Sequence, residues 1–581
     1  MTILASLARA YERLPEKPPF GYTLAKIGFL ISLNEDGSVA HLIDLRSGEG
    51  NKRQPRMLEV PQPPKRASGV VCSFLWDKTA YVLGITAGEG KRLEQEHAYF
   101  REYHLAALES ASDRGLVALR TFLGAWTPDQ FMALGWPEDL KDQNVVFALE
   151  SDRRPNDIFL HEREAAKVLW ASMQAEASGE AEVCLVRGTK LPVARLHPSI
   201  KGVWGGQSSG GSIVSFNAAA YESYGHLQGD NAPVSEAAAF AYTTALNAFL
   251  AKDSKNRIQI GDTSTVFWAD ASDAETADAA QDIWLAGFTD IDEAQQSERV
   301  RNVLEGLRNG RPLGDLDPKL EEDVRFYVLG LAPNAARISI RFWFESDFAD
   351  LARNYQRFAQ DMRIEPLPRT PFPPLWQYLL ELAVLKKREN VAPNLAGEWM
   401  RAILTGNRYP LTLLTSLLMR IRADGEVNAL RAGMLKAVLI RNFERKDTPV
   451  ALDPDFKDKG YLLGRLFAVY ERIQEAALGR NVNATIKDKY YGSASAQPRK
   501  VFSAIDRNSA NHLSKVAKQA PGYKVTLERT LSDIMGSLSP ADDPFPASLS
   551  AQEQALFGLG YYHQRSAFFQ SRDQDASETA Q

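Results

Sequence analysis

The sequence predicts an α+β protein, a mixed strand-and-helix amino-terminal region followed by an all-helical carboxyl-terminal bundle. Three observations predict it. Apolar and polar residues alternate in KIGFLISL and SVAHLIDL on either side of the turn residues Asn34 to Gly37, which is a hairpin signature. Strand-like and helix-like segments mix over residues 1–372 without the regular alternation that builds a parallel βαβ sheet. From Pro373 onward, apolar residues recur at three- and four-residue spacing between short Gly, Pro and Asn turns, as in a helical bundle.

In chain order, MTILASLARAYERL places Ile3, Leu4, Leu7 and Tyr11 at helical spacing. It lacks the basic region, apolar stretch and small-residue cleavage site of a secretory signal, so it predicts an amphipathic first helix. After the hairpin comes a loop rich in Pro and bases, NKRQPRMLEVPQPPKRASG. AYVLGI then reads as a further strand and GKRLEQEHAYFREYHLAALES as a charged helix, while Gly211-SIVSF alternates like a strand. LWQYLLELAVLKK, GEWMRAILTG, LTLLTSLLMRIRA, EVNALRAGMLKAVLIRN and GYLLGRLFAVYERIQEAAL supply the bundle helices. The expected domains are 1–372, with room for two subdomains, and 373–570, with a polar, disordered tail at 571–581.

A chain of 581 residues, 44% apolar and 24% charged, has ordinary globular composition. Two cysteines, Cys72 and Cys184, cannot form a disulfide framework or a Cys-rich zinc site and read as free thiols in a reducing compartment. No apolar run reaches the ~18 residues of a membrane span. The expectation is a soluble, cytoplasmic protein. The net charge of −5 hides segregation. Residues 269–298 hold nine acids and no Lys or Arg. Residues 401–446 hold nine bases against three acids, and residues 480–529 ten against three, so the rest of the chain carries −18. Two basic excesses within one bundle predict a surface that tracks phosphates, although a charge run is also the ordinary mark of a solvated face.

Catalytic signatures are weak. GITAGEGKR fails as a phosphate loop, because Gly84 is one residue too far from Gly90 and Arg92 replaces the hydroxyl residue. HEREA at His161 lacks the second histidine of a zincin helix, and His97 and His104 have no ligand cluster around them, so no metal or cofactor is expected. Gly206-Gln207-Ser208-Ser209-Gly210 does match G-x-S-x-G. A nucleophile elbow needs a strand before the serine and a helix after it, with His226, His512 or His563 as base. An esterase-like hydrolase using Ser208 is therefore kept as an alternative, beside a Gly-rich loop that offers amides and hydroxyls to a phosphate or base edge.

The segment KGVWGGQSSGGSIVSFNAAAYESYGHLQGDNAPVSEAAAFAYTTALN resembles the signature block of the large subunit of the type I-C (Dvulg-subtype) CRISPR surveillance complex, Cascade. LARAYERL, PPFGYTLAKIGFLISLNEDGSVAHLIDLR and VPQPPKRASGVVCSFLWDKTAYVLG resemble its amino terminus. RISIRFW, LAGEWMRAILTGNRYP, LLMRIRAD and NVNATIKDKYYGSASAQPRKVFSAI follow in family order, so the resemblance covers nearly the whole chain. It implies a non-catalytic subunit of an antiviral ribonucleoprotein. Such a subunit lies near the 5′ handle of the guide RNA beside backbone and handle-binding subunits. It reads the PAM duplex of the target DNA, helps form the R-loop, holds the displaced strand and supports docking of a helicase-nuclease. The bundle resembles the small subunit, which in this subtype is made by internal translation of the same gene. Met434 would start a fragment of 148 residues, and a start near Val450 or Leu452 is equally open. A scaffold that contacts only proteins is the remaining alternative.

With that division of labour, base pairing reads sequence and the protein licenses entry at the PAM. Lys65, Arg66, Ser68, Ser73 and Lys78 are candidates for the PAM region. The resembled family often carries Asn where this chain has Ser73, which implies a different local base preference. Lys201, Gln207, Ser208, Ser209, Asn217, Gln228 and Asn231 are candidates from the central block, with Gln207 or Gln228 as a wedge. The ordinary reading of each is a satisfied loop amide or hydroxyl. For the displaced strand the candidates are Arg401, Arg408, Arg420 and Arg422, and Tyr490 and Tyr491 among Lys487, Lys489, Arg499 and Lys500. The tyrosines serve equally well packed between helices.

Overall fold

The side chain of Thr2 accepts the Ala5 amide and starts α1 (Ile3–Glu12), which buries Leu7 and Tyr11 as their spacing predicts. This computed structural model describes all residues except 1, 16, 49–52, 65–68, 177–180, 261–262, 290–296, 480–483 and 579–581. The chain forms two compact units, Met1–Lys252 with Pro333–Ile338, and Asp253–Ala332 with Ser339–Gln581. Strands lie mainly in small sheets and the carboxyl-terminal half is helical, an α+β fold as expected.

In the first unit, α1 is followed by β1 (Tyr22–Ile27), β2 (Phe29–Leu33), β3 (Val39–Asp44), β4 (Arg56–Pro61) and β5 (Trp76–Lys78). Next come α2 (Thr79–Val82), α3 (Leu93–Ala107), α4 (Arg114–Ala125), α5 (Gln130–Ala133), β6 (Asn144–Leu149), α6 (Glu150–Asn156) and α7 (Glu164–Glu176). The hairpin β7 (Ala181–Val183) and β8 (Lys190–Pro192) and then α8 (Glu236–Phe249) complete the unit. The expected hairpin is β2 with β3. β2 also pairs in parallel with β6, giving the sheet order β3-β2-β6-β5.

Every residue of β2 is buried because both faces of the sheet are covered. Phe29, Ile31 and Leu33 join Phe122 and Leu119 of α4 on one side. Leu30 joins Leu58 and Val60 of the antiparallel β1–β4 ribbon on the other. Two expected strands are absent. AYVLGI forms the short helix α2, its Thr79 hydroxyl accepting the Asp142 amide, and buries Val82 and Leu83 in the helical layer. Gly211-SIVSF makes only isolated bridges, Ile200 with Gly211 and Ser212 with Arg337; its alternation finds no strand to pair with.

The second unit opens with β9 (Arg257–Ile260), β10 (Thr263–Asp270), α9 (Ala274–Phe288), α10 (Glu298–Arg308), α11 (Leu313–Leu316), α12 (Pro318–Glu322), β11 (Arg325–Asn334), β12 (Arg337–Asp347) and α13 (Phe348–Met362). Its antiparallel sheet runs β12-β11-β10-β9. Helices α14 (Leu375–Leu380), α15 (Pro393–Thr405), α16 (Leu411–Asp424), α17 (Ala429–Phe443), α18 (Lys459–Leu478), α19 (Ile486–Ala496), α20 (Pro498–Gln519), α21 (Pro521–Ser537) and α22 (Ala551–Glu578) follow. One hydrophobic cluster runs from Phe267 and Phe326 through Trp399 to Phe467 and Phe557, so the change of sequence character at Pro373 lies inside a continuous core. The segment expected as a tail falls partly in the last turns of α22 and partly outside the described residues.

Helix α18 is the centre of the bundle. Glycines let α22 approach it backbone to backbone: a Cβ at Gly464 would overlap the Phe557 carbonyl, and one at Gly560 the Tyr461 carbonyl. Tyr461, Leu463, Phe467 and Ile473 are fully buried in consequence.

Candidate nucleic-acid interface

In the first unit, Ile200 and Gly211 exchange backbone hydrogen bonds at 2.8 and 2.9 Å and pinch off an exposed loop. The Gly210 amide donates to the Gln207 carbonyl at 2.9 Å, closing a tight turn that presents Gln207, Ser208 and Ser209 to solvent. Gly202 and Gly210 have φ of +85°, and a Cβ at either would lie 2.6 Å from a backbone carbonyl oxygen, so the fold itself demands these two glycines. The Lys201 amide is tied to Asn247 Oδ1 at 2.8 Å while its side chain is exposed. Ser208 is followed by isolated bridges and bends, not by the helix of a nucleophile elbow. His226 is exposed in a loop, and His563 contacts the Tyr461 hydroxyl at 2.9 Å and the Val450 carbonyl at 3.1 Å. His512 lies on α20.

The remaining central candidates separate by what they already hold. Asn217 Oδ1 accepts from Arg337 Nη2 at 2.6 Å, and the same guanidinium lies 4.1 Å above the Tyr221 ring. Asn231 is a loop staple: Oδ1 accepts the Ser223 amide at 2.8 Å, and Nδ2 donates to the carbonyls of His226 and Gln228. Gln228 is different. Its φ is +46°, a conformation costing a non-glycine residue ~1–3 kcal/mol, and its Oε1 is buried with no hydrogen-bond partner among the described residues. Ser73 is buried in the core layer beside Cys72 and Phe74, with its amide bonded to Asp77, so its hydroxyl does not face a groove. Lys78 is exposed at the end of β5. Lys65, Arg66 and Ser68 lie outside the described residues.

Sequence reasoning passed over the exposed rings of this region. Trp204, Tyr221 and Tyr224 stand out between β8 and α8, with the aliphatic Leu227 exposed in the same stretch. Their signal was an aromatic set among Gly, Ser and Asn with no helical or strand periodicity to bury it.

In the second unit, the basic segment 401–446 is largely internal wiring. Arg431 is fully buried and meets Glu381 at 2.9 Å and Asp424. Arg441 is buried against Asp361, which also accepts from the Tyr409 hydroxyl at 3.1 Å. The Lys436 ammonium donates to the Gln360 carbonyl at 3.2 Å, and burial pushes its pKa down to about 8. Arg445 pairs with Asp447 and Asp458, Arg420 with Asp424, Arg408 with Glu444, and Arg422 bonds to Gln554. Seven of the nine bases are thus engaged, leaving Arg401 and Lys446 exposed without an ion pair among the described residues. Of the candidates Arg401, Arg408, Arg420 and Arg422, Arg401 alone has no side-chain partner among the described residues.

The segment 480–529 behaves oppositely. Arg499 is held by Asp543 at 2.6 Å and Lys524 by Glu528 at 2.7 Å. Lys487, Lys489, Lys500, Arg507, Lys515, Lys518 and Arg529 have no ion pair among the described residues, and all but half-buried Lys487 are exposed. At 100° per residue, Lys500, Arg507, Asn511, Ser514 and Lys518 fall within about 40° of one line along α20, with Ser503 and Lys515 on its flanks. The line is about 27 Å long and carries no carboxylate. Tyr491 is not on this surface. Its ring is buried against Phe467, Phe557 and Tyr561, and burial raises its phenol well above the ordinary range. Tyr490 is half-buried on the same core. Beside Lys487, a cavity of about 490 Å³ between α18, α19 and α22 is lined by Glu471, Glu475 and Asp488 as well as Arg472 and Arg565, a balance of sign unsuited to a polyanion.

The described part of the acidic stretch is also structural in part. Asp273 caps α9, Asp278 and Asp282 meet Lys255 at 3.2 Å, and Glu275 meets Arg299. Among the described residues there is no cluster of three or more His, Cys, Asp or Glu that could hold a metal, and no helix long and apolar enough to cross a membrane. Cys72 and Cys184 are free and buried. Residues 7–569 match the family described as CRISPR-associated protein (Cas_Csd1). No curated protein matches the chain.

Proposed function

Since this chain belongs to the Cas_Csd1 family of CRISPR-associated proteins, we propose that it is the large subunit of a type I-C surveillance complex and acts on target DNA without catalysis of its own. In this reading the first unit reads the PAM duplex through Lys78, Lys201, Gln207 and Gln228, together with the segment around Lys65 and Arg66. The second unit holds the displaced strand along the line of α20. The observation that carries the reading is that line: exposed bases without an ion pair among the described residues and small polar side chains at helical spacing, without a carboxylate, whereas seven of the nine bases of residues 401–446 are engaged within the protein. Guide RNA, backbone and handle-binding subunits and a recruited helicase-nuclease are the partners it implies, in the cytoplasm. A small subunit begun at Val450 or Leu452 would keep α18–α22 whole, whereas one begun at Met434 would start inside α17.

The test is selection of duplexes with randomised flanks by the assembled, guide-loaded complex. Wild type is expected to enrich one short flank beside the guide-matched sequence. Unbiased flanks would defeat the reading. Unchanged flank dependence in each of Lys65→Ala, Arg66→Ala and Gln228→Ala would defeat the residue assignment alone.

A further inference from the structure

We propose that helix α13 carries a second phosphate-binding face, on which Arg311, Arg357 and Arg401 take the phosphodiester backbone of a nucleic acid. The inference goes beyond the reading above, which gives this helix no role, and it depends neither on flank selection nor on the α20 line.

The face is assembled from three segments of the second unit that are remote in sequence, 308–311, 350–360 and 401–408. Helix α13 runs between two turns and stitches both to itself. On one side Gln356 Nε2 donates to the Arg311 carbonyl and Gln360 Nε2 to the Arg308 carbonyl, both at 2.9 Å. On the other, Asn354 Nδ2 donates to the Leu404 carbonyl at 2.8 Å, and Arg357 Nη1 reaches the Gly406 carbonyl at 3.4 Å. Gly406 has φ of +66°, and a Cβ there would overlap the Asn354 side chain, so this turn sits hard against the helix. At 100° per residue Arg357 lies midway between Asn354 and Gln360, and thus between the two seams. The Thr405 hydroxyl donates to the Arg401 carbonyl at 2.8 Å, tying the end of α15 to the second turn.

Charge is the second ground. The three segments hold six arginines, one aspartate and no lysine. Arg353 takes Asp350 at 2.7 Å, and Arg408 is held by Glu444 at 2.7 Å. Arg311, Arg357 and Arg401 are left exposed with no ion pair among the described residues. Of the flanking carboxylates, Asp347 pairs with Arg325 and Asp361 with Arg441, while Glu305, Asp315 and Glu398 form no ion pair with the three.

The chemistry favours phosphate. Lysine would solvate a surface equally well, whereas the guanidinium fork binds phosphate through two parallel hydrogen bonds. A carboxylate on a protein partner accepts the same fork, but protein interfaces are centred on apolar anchors. No exposed large apolar side chain lies on the three segments, and the nearest along the chain is Leu411, at the start of α16. Exposed Asn309 and Asn407 add neutral donors of the kind that also line α20.

The test compares two variants of the full chain. One combines Arg311→Gln, Arg357→Gln and Arg401→Gln, and the other Arg311→Lys, Arg357→Lys and Arg401→Lys. All three side chains are exposed, so the urea midpoint is a control expected to stay in place. The probes are a short DNA duplex and a single-stranded RNA, with binding read by anisotropy over a salt series. The Gln variant is expected to bind about tenfold more weakly and to lower the salt slope by ~0.9 per lost phosphate contact on the duplex, or ~0.7 on the single strand. The Lys variant should keep the slope and lose about threefold in affinity, since it retains the charge without the fork. A loss confined to RNA would identify a guide strand as the occupant, and a loss confined to DNA the target; either supports the proposal. An unchanged slope on both probes in the Gln variant would overturn it, as would a slope lost equally in the Lys variant. Full affinity for both probes, with another subunit released from the assembled complex, would assign the face to a protein and overturn it too. Unbiased flanks in the selection described above would remove the PAM reading and leave this face standing.

Discussion

Residues 401–446 and 480–529 carry nearly the same excess of bases, and the fold uses them in opposite ways. In the first segment the two buried arginines turn inward to carboxylates outside the segment, Arg431 to Glu381 and Arg441 to Asp361. In the second, Lys500, Arg507, Lys515 and Lys518 lie along one side of α20 and meet solvent. A local charge count sees only the residues inside its window, whereas a desolvated ion pair draws its partner from anywhere in the chain. An excess of one sign is thus evidence for a binding surface only after internal pairs have been subtracted.

Breaking the inward pairs gives the largest expected effect. Asp361→Ala leaves Arg441 buried without a counter-charge and is expected to cost ~3–5 kcal/mol, read as a fall in the urea midpoint of the helical unit. Replacing both partners, Asp361→Leu with Arg441→Met, is expected to recover most of that loss. If the single substitution is silent, the first segment is not internal wiring.

Acid attacks the same core through His563. Burial lowers its folded pKa to about 4 from 6.5, so the unfolded chain binds the extra proton between those values. Stability is fully present above about pH 6.5 and is lost as pH falls toward 4, by about 3 kcal/mol at most. His563→Gln is expected to flatten that part of a melting-temperature profile. Lys436 has the companion dependence at alkaline pH. With a folded pKa of about 8 against 10.5, its contribution rises with pH across that window, and Lys436→Met should remove the rise.

The α20 line should respond in binding and scarcely in folding. Each of Lys500→Ala, Arg507→Ala, Lys515→Ala and Lys518→Ala is expected to change stability by less than ~0.5 kcal/mol. Together they should lower the salt slope of single-strand binding by roughly 0.7 for each phosphate no longer neutralised. An unchanged slope would take the displaced strand off this face. The smallest effect is expected at the exposed Arg408–Glu444 pair: Arg408→Ala should cost ~0–1 kcal/mol and leave DNA affinity unaltered.

Where pattern and packing agree, the elements were legible. Leu7 and Tyr11 at helical spacing became the buried side of α1, and the Asn34–Gly37 turn joined β2 to β3. AYVLGI misled because a short run of apolar and β-branched residues suits a buried single turn of helix as well as a strand, and only neighbours decide. Tyr491 misled likewise, since a tyrosine beside lysines looks the same whether its ring meets a base or Phe467. Tyr224 went unseen because its conformation is a property of the backbone and of the Asn231 staple, neither of which a composition reveals.

The order of helices in the bundle, the first hairpin, the glycine-rich loop and the family were determined by the sequence itself, because local periodicity, turn chemistry and long ordered strings are properties of neighbouring residues. Which of 68 bases are free to meet a phosphate was decided by tertiary structure alone. Pairing depends on distances of a few ångströms between residues tens of positions apart, and burial makes such pairs costly to leave unmade.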